Sequence, residues 1–273
     1  MTDRLRLTIL GCGSSPGTPR ITGDWGNCDP SNPRNRRTRA AALVERIAPN
    51  GARTTVVIDT GPDFREQMLR ADVRRIDAVI YTHPHADHIH GIDDLRGYVL
   101  DQRRLIDIHA DEPTLLRLRE AFGYCFETPL GSSYPPILRA HVIDHGKPVV
   151  IEGEGGALTL EPLPQIHGDI ISLGFRIGRL AYCPDISDFP QATAERLGEL
   201  DMLVIDALQY RTHPSHLSLG QALEWIERLA PKQAVLTHMH GPLDYATVMV
   251  ETPENVAPAY DGMVIEIPYE SAG

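Results

Sequence analysis

The sequence contains no apolar run of the roughly 18 residues that a membrane-spanning helix needs, so such a helix is excluded. Its first 13 residues carry charges where a signal peptide has an apolar segment, so we expect no secretion by that route. Cysteine is scarce, and the four that occur are far apart, which is typical of reduced thiols and not of a disulfide framework. We therefore expect a cytoplasmic protein.

Positive charge is also in short supply, with 26 Lys and Arg residues against 37 Asp and Glu and a formal net charge of −11. This balance argues against a long nucleic acid as partner, because such binding depends on basic residues that contact phosphates. A small phosphorylated substrate is still allowed, because a metal ion can set the local sign of the charge. The sequence does not determine the oligomeric state, and a homodimer is one of the states it allows.

Short apolar runs and helical patterns predict one mixed α/β domain over residues 1–273, with helices outside the sheets. The predicted strands are 5–10, 41–47, 54–59, 78–82, 106–110, 157–163, 171–177, 180–183, 202–206, 233–237 and 263–267. The predicted helices are 63–71, 113–122, 190–197 and 219–229, the last with Ser218 as its start signal. Residues 13–39 are rich in Gly, Pro, Asn and Arg and predict a long loop, which in a compact domain is usually functional or disordered.

Histidine is abundant, with 12 residues, and four potential metal ligands lie close together after the apolar run 78–80. These are His83, His85, Asp87 and His88, whose imidazole and carboxylate groups suit zinc, iron and manganese. In an extended loop His83 and His85 project to one side, and a helix that begins near Asp87 would turn Asp87 and His88 towards a neighbouring position. The segment therefore predicts a site for two metals about 3.5–4 Å apart.

The motif His83-x-His85-x-Asp87-His88 resembles the signature of the metallo-β-lactamase superfamily, whose members fold as a four-layer αβ/βα sandwich. Four further segments resemble that superfamily's motifs in the same order: 58–61, 164–168, 182–185 and 236–238. By this resemblance, His83, His85, His167 and Asp185 hold one divalent cation. Asp87, His88, Asp185 and His238 hold a second, with Asp185 shared. The resemblance also implies that Asp59 orients a ligand.

The glycine-rich opening 10–19 resembles the phosphodiesterase branch of the superfamily, which includes ribonuclease Z and a phosphoribosyl cyclic-phosphate phosphodiesterase. The segments 25–28, 33–39 and 95–97 and the block around His213 and His216 resemble the second of these. This implies a hydrolase of small or cyclic phosphodiesters that uses two zinc or manganese ions. Asp87 and His216 are then catalytic residues, with His216 as the general acid. In the arginine-rich run 34–39, Arg39 and Arg36 are candidates to bind the substrate phosphate.

The sequence departs from the phosphoribosyl cyclic-phosphate enzyme in one respect. That family holds a structural zinc with a cysteine cluster and a second histidine, whereas here only Cys28 and His240 are available. A structural zinc needs four ligands, so we expect none at this place. The alternatives are a ribonuclease Z-like endonuclease, another hydrolase acting on thioesters or lactones, and a non-enzymatic metal-binding or redox scaffold. The sequence does not name the natural substrate or choose the metal.

Overall fold

The computed structural model describes residues 2–270, which form two seven-stranded mixed β-sheets that pack face to face. The strands are β1 Arg4–Gly11, β2 Ala41–Ile47, β3 Arg53–Ile58, β4 Ala78–Ile80, β5 Ile106–Ala110, β6 Leu138–Val142, β7 Val149–Ile151, β8 Leu158–His167, β9 Ile170–Ile177, β10 Leu180–Cys183, β11 Met202–Asp206, β12 Gln233–Thr237, β13 Val256–Pro258 and β14 Val264–Pro268. The helices are α1 Phe64–Arg70, α2 Ala86–Ile89, α3 Leu95–Gln102, α4 Glu112–Phe122, α5 Gln191–Ala194, α6 Leu219–Leu229 and α7 Tyr245–Glu251.

The first sheet has the strand order β14-β1-β2-β3-β4-β5-β6, and the second has the order β13-β12-β11-β10-β9-β8-β7. The strands β3, β4, β5 and β6 run parallel in the first sheet, and β10, β11, β12 and β13 run parallel in the second. The carboxyl ends of parallel strands meet at one edge of a sheet, and open α/β sheets place their ligands there. The side chains that follow β4, β10 and β12 are thereby brought to sheet edges.

The main core lies between the two sheets and follows the alternation of side chains along each strand. In β1, for example, Leu5, Leu7 and Ile9 are fully buried in this core. Leu10 points to the opposite face and joins a second core, which α1, α3 and α4 cover. The helix α6 packs its buried residues on the second sheet. The α/β sandwich with helices outside its sheets is therefore confirmed.

The helix α6 begins where the sequence predicts. The side chain of Ser218 accepts a hydrogen bond from the backbone of Gln221, and the Gln221 side chain accepts one from the backbone of Ser218. This reciprocal pair satisfies two backbone donors that a helix N-terminus leaves unpaired. The cap fixes the point at which the chain leaves the loop that carries His216.

The sequence did not predict three strands and three helices. β7 and β13 are apolar but have only three residues each, and β13 ends in Pro258. In β6, Arg139 and His141 interrupt the apolar pattern. Among the helices, α2 has four residues, α3 has little amphipathic character, and α7 contains β-branched residues that favour strands. The predicted helix 190–197 is α5 followed by a short 3-10 turn. No helix of residues 2–270 has the length and apolar character needed to cross a bilayer.

Candidate metal centre and its general acid

Three histidines form the first ligand group. The chain leaves β4 and presents His83 and His85, while His167 ends β8 in the opposite sheet. The ring centroids of His83 and His85 lie 4.6 Å apart, and each lies 5.0 Å from that of His167. Each ring offers a nitrogen, and the three nitrogens lie within 4.8 Å of one another. The structure therefore brings together three residues that the sequence assigned to one metal.

The second ligand group consists of Asp87, His88, Asp185 and His238, again within 4.8 Å. The Asp185 carboxylate lies 3.3 Å from Nε2 of His88 and 3.2 Å from Nε2 of His238. One of its oxygens is also 3.8 Å from Nε2 of His83 in the first group. Asp185 thus lies between the two groups, which is where a shared ligand has to be.

Three of the site's residues adopt the left-handed backbone conformation, which is costly for residues other than glycine. These are Asp59, Asp185 and His238, with φ angles of 67°, 50° and 55°, and each closely follows the end of a strand. For an L-residue this conformation costs roughly 1–2 kcal/mol. Strain of this kind is tolerated where the surrounding structure enforces it, and it is concentrated at functional sites.

The unpaired buried atoms of the cluster test whether it fits a cation. Nε2 of His83, His88 and His238 and one oxygen of Asp185 are buried without a hydrogen-bond partner. Leaving a buried polar atom unpaired costs about 1–3 kcal/mol. Neutral imidazoles and carboxylates are donors that divalent cations accept, so the residues present fit a metal centre.

The histidines of the site fall into two classes, one with a lowered pKa and one with a raised pKa. Burial lowers the pKa of His167 to about 4 and holds that of His83 well below its ordinary value. Burial also opposes protonation of His88 and His238, but the neighbouring Asp185 and Asp87 outweigh it. They raise the pKa of His238 to about 9 and that of His88 well above its ordinary value. A cation that binds the second group must therefore displace protons.

Hydrogen bonds outside the cluster orient the ligands. His88 donates from Nδ1 to Asp59 at 2.8 Å, and Asp59 also accepts from the backbone and hydroxyl of Thr82, each at 2.8 Å. His167 donates from Nδ1 to the carbonyl of Ser215 at 2.6 Å. Each bond turns Nε2 of the ring towards its ligand group, where Nε2 of His167 lies 3.3 Å from Nδ1 of His85. The placement of Asp59 agrees with the orienting role that the resemblance implies.

His216 lies next to both groups. Its ring stacks on that of His238 at 4.6 Å with an interplanar angle of 11°, and its centroid is 4.7 Å from that of His167. Its Nδ1 donates to the Asp206 carboxylate at 2.7 Å. Asp206 is fully buried and also accepts from the backbone of Ile186 at 3.0 Å. The geometry fixes the tautomer of His216 and leaves its Nε2 available.

Sequence reasoning missed Asp206. A signal was available, because a carboxylate ends the apolar strand β11 just as Asp59 follows β3, and strands that are buried throughout seldom end in an acid without a partner. His213, the other histidine of this loop, is exposed, and its ring centroid lies 5.3 Å from that of His216.

The arginine run of residues 34–39 is mostly engaged in structural contacts. Arg39 bonds both oxygens of Asp63 at 3.0 Å, and the buried Arg37 donates to the carbonyl of Leu243 at 2.6 Å. Arg36 is exposed. Its side chain makes no hydrogen bond within residues 2–270. Substrate binding by Arg36 and Arg39 stays a prediction.

Cys28 and His240, the two residues available for a structural zinc, both make hydrogen bonds within the protein. The Cys28 thiol donates to the carbonyls of Gly241 and Leu243 at 3.3 and 3.5 Å. The ring nitrogens of His240 lie within hydrogen-bond distance of Ser14 and Arg20. The two candidate ligands thus have protein partners of their own.

Comparison with known proteins identifies one family model that matches this chain and three proteins that are similar to it. The model of the Beta-lactamase superfamily domain matches residues 54–239. A solved structure described as a new diphosphatase from the PhnP family is 34% identical, with a TM-score of 0.87, and covers 98% of this chain and 99% of its own.

Two curated relatives also match. An octanoyltransferase of Porphyromonas gingivalis is 33% identical over 264 residues, which is 95% of this chain and 51% of that protein. A ribonuclease Z of Bradyrhizobium diazoefficiens is 30% identical over 153 residues, which is 53% of this chain and 46% of that protein. The chain therefore spans about half the length of the curated relatives it matches.

Proposed function

Because the chain belongs to the metallo-β-lactamase superfamily of hydrolases, we propose that it is a metal-dependent phosphodiesterase acting on small or cyclic phosphodiesters, including phosphoribosyl and nucleotide ones. The observation that carries the proposal is the pair formed by Asp206 and His216. This pair places an oriented imidazole against two ligand groups that fit divalent cations.

The two ligand groups would each hold one cation, with Asp185 shared, and zinc or manganese suits their donors. When bound, the cations would polarise the phosphoryl group and lower the pKa of a water molecule from 15.7 to about 7. Asp59 and the carbonyl of Ser215 hold the rings of His88 and His167 in place for this task. Asp87 would act as a ligand of the second group, and the resemblance also implies a catalytic role for it.

The chain itself supplies the leaving-group proton. An alkoxide leaves slowly without one, and a positioned acid contributes typically 10²–10⁴-fold to the rate. With Nδ1 held by Asp206, Nε2 of His216 is the atom from which the proton departs. The buried Asp206 carboxylate holds the ring in the orientation and tautomer that this transfer requires.

Two of the relatives support phosphate chemistry by name, since one is called a diphosphatase and the other a ribonuclease. The diphosphatase matches along nearly the whole of both chains. A diphosphate bond resembles a phosphodiester in having an oxygen-bridged phosphorus as the centre of attack, so such bonds belong to the same substrate panel. The net charge of −11 favours small substrates over transfer RNA. A cytoplasmic location is part of the same proposal.

A substrate panel tests the proposal. Metal-loaded protein is assayed with bis(p-nitrophenyl) phosphate, a nucleoside 2′,3′-cyclic phosphate, a dinucleoside diphosphate, nitrocefin and a glutathione thioester. We expect turnover of phosphorus-centred substrates, and loss of it in His88→Ala. Much faster turnover of nitrocefin or the thioester would refute the assignment.

Acyl-thioester hydrolysis is a second candidate, favoured by the octanoyltransferase name of the relative from Porphyromonas gingivalis. Octanoyl transfer is acyl chemistry, and the aligned region is 51% of that protein, so the name applies to a chain about twice as long. The thioester in the panel separates the two candidates. Thioester cleavage releases a thiolate, which needs no proton donor, so this candidate predicts that His216→Ala keeps full activity.

A further inference from the structure

The loop of residues 20–28 is docked on the segment that follows the metal ligand His238. Asn27 donates its backbone N–H to the carbonyl of Gly241 at 2.9 Å, and the Cys28 thiol donates to the same carbonyl at 3.3 Å. Gly26 lies so close that a Cβ there would be 2.7 Å from this oxygen, and its φ is +60°. The contact thus requires glycine, and the loop keeps a fixed place beside the site.

Arg20 extends from this loop to His240. Its Nη2 donates to Nε2 of His240 at 2.7 Å, so Nδ1 of that ring carries the proton and donates to Ser14 at 2.8 Å. The imidazole is therefore neutral and leaves the guanidinium charge in place. Among residues 2–270, the carboxylate that pairs with Arg20 is Asp24 at 3.5 Å, and both side chains are about half exposed. Such an exposed pair is weak, because water screens it.

Three other arginines of the same long loop differ from Arg20 in their partners, and a fourth, Arg36, is exposed and lacks the neutral ring that orients Arg20. Arg39 is paired with Asp63, and Arg37 is buried against backbone carbonyls. The guanidinium of Arg34 lies 4.9 Å from the ring centroids of both Tyr245 and Tyr260. Arg20 instead gives one of its five N–H donors to a neutral ring and faces the half-exposed Asp24 with Nη1 at 3.5 Å, so its charge is only weakly paired and can bind a ligand.

The position of His240 relates Arg20 to the metal centre. His240 follows His238 by two residues, and Nε2 of His238 lies 3.2 Å from Asp185. The backbone N–H of Ser14 donates to the carbonyl of Met239, which ties the start of the arginine's loop to the residue between the two histidines. His240 therefore connects Arg20 to the chain segment that carries His238.

We propose that Arg20 is a specificity-determining residue that binds a phosphate group of the substrate other than the one that is hydrolysed. Guanidinium matches phosphate geometry with two parallel hydrogen bonds, and the neutral His240 holds it in a defined orientation. The inference rests on the proposed phosphodiesterase function and adds to it a preference for substrates with a second anionic group.

The test uses three substrates: bis(p-nitrophenyl) phosphate, adenosine 2′,3′-cyclic phosphate and the same cyclic nucleotide with a 5′-phosphate. The variants are Arg20→Ala and Arg20→Lys, with Arg74→Ala as the matched control. Arg74 is highly exposed, pairs with Asp72 and precedes the amino end of β4, whereas the metal ligands follow its carboxyl end. The thermal midpoint of each metal-loaded variant is measured alongside KM and kcat.

We expect Arg20→Ala to raise KM for the 5′-phosphorylated nucleotide by roughly 10- to 100-fold, the worth of hydrogen bonds to a charged group. The KM for the two other substrates and every kcat should stay within about twofold, the lysine variant should be intermediate, and Arg74→Ala should match the wild type.

An equal effect on all three substrates, or none, would overturn the proposal. An equal effect with a lowered thermal midpoint would mean that Arg20 only supports His240. If the wild type hydrolyses none of the three, the proposed function itself fails, so the two failures are distinguishable.

Discussion

At the scale of the residue, the orientation of an imidazole decides its chemistry. A bond to one nitrogen of a histidine fixes where the other nitrogen faces, and that position decides what the ring can do. Here Asp59 holds Nδ1 of His88, a ring that faces the second ligand group, whereas Asp206 holds Nδ1 of His216. Both carboxylates are fully buried, and burial raises the pKa of each, with the histidine partner acting in the opposite direction. Two similar pairs therefore hold one ring that faces the second ligand group and one ring that stacks on His238.

Replacing His216 separates the acid from the ligands. His216→Ala should keep the fold and both cations but lower kcat by roughly 10²–10⁴-fold on a nucleoside cyclic phosphate. The defect should shrink on bis(p-nitrophenyl) phosphate, because p-nitrophenolate leaves without a proton. Steady-state kinetics and metal analysis check this. The assignment is wrong if good and poor leaving groups suffer equally, or if His213→Ala shows the leaving-group dependence instead.

Replacing Asp206 tests how the acid is held. Asp206→Asn removes the charge but keeps the size, so we expect kcat on the cyclic phosphate to fall by about 10- to 100-fold, as partners of this kind usually cost. The loss should be larger on the cyclic phosphate than on bis(p-nitrophenyl) phosphate, because only the first leaving group needs a proton. Unchanged kinetics with a lowered thermal midpoint would show that Asp206 is only structural.

At the scale of the element, the strand ends and the cap of α6 position the site. The loop from β11 to α6 carries both His213 and His216 and supplies the Ser215 carbonyl that holds His167. Its far end is fixed by the Ser218 cap. The start of α6 thus helps to determine where His216 lies.

Removing the cap should affect both stability and catalysis. Ser218→Ala should lower the free energy of unfolding by about 1 kcal/mol, the usual value of an N-cap, and should also reduce kcat. Asp111 caps α4 in the same way, in the first sheet's outer layer, so Asp111→Ala provides a matched control. We expect a similar loss of stability there with kcat retained. Equal kcat losses in both variants would contradict the positioning role of the α6 cap.

At the scale of the whole molecule, the ligands come from both sheets. His83, His85, Asp87 and His88 follow β4 in the first sheet, whereas His167, Asp185 and His238 belong to the ends of β8, β10 and β12 in the second. A bound cation therefore joins the two halves. Ligands that bind only the folded state stabilise it, by about 4 kcal/mol at a concentration 1,000 times Kd.

Metal binding should raise the thermal midpoint and release protons. Since Asp185 and Asp87 raise the pKa of His238 to about 9, its ring is protonated at pH 7.5 and must lose that proton to bind. Affinity should therefore fall as the pH drops from 9. Calorimetry in two buffers of different ionisation enthalpy should show release of about one to two protons per chain.

A histidine variant away from the site controls the proton count. His109 stacks on His141 at 4.7 Å, and burial lowers its pKa to about 4, so it is neutral at pH 7.5. His109→Ala should leave the proton release unchanged. Metal binding without proton release in the wild type would contradict the pairing of His88 and His238 with Asp185.

Most of the features that could be predicted from the sequence involve residues that are close together in the chain. The segment from His83 to His88 is short, so local geometry places its side chains together in any fold that buries the preceding strand. The same holds for α6, whose capping residue and periodicity are both local. With the ordered motifs around His167, Asp185 and His238, the sequence by itself determined the superfamily, and it predicted a ligand set whose members the structure brings together.

Only the tertiary structure decided which polar side chains find partners. Asp206 ends β11, and His216 lies ten residues later in the loop between β11 and α6. Their bond exists because the folded loop places His216 beside the carboxyl end of β11. Arg39 is 24 residues from Asp63, which occupies its guanidinium, while Arg20 reaches His240 across 220 residues. Local pattern cannot show such pairings, because they depend on how the strands are ordered in space and on which charges the folded chain has already paired.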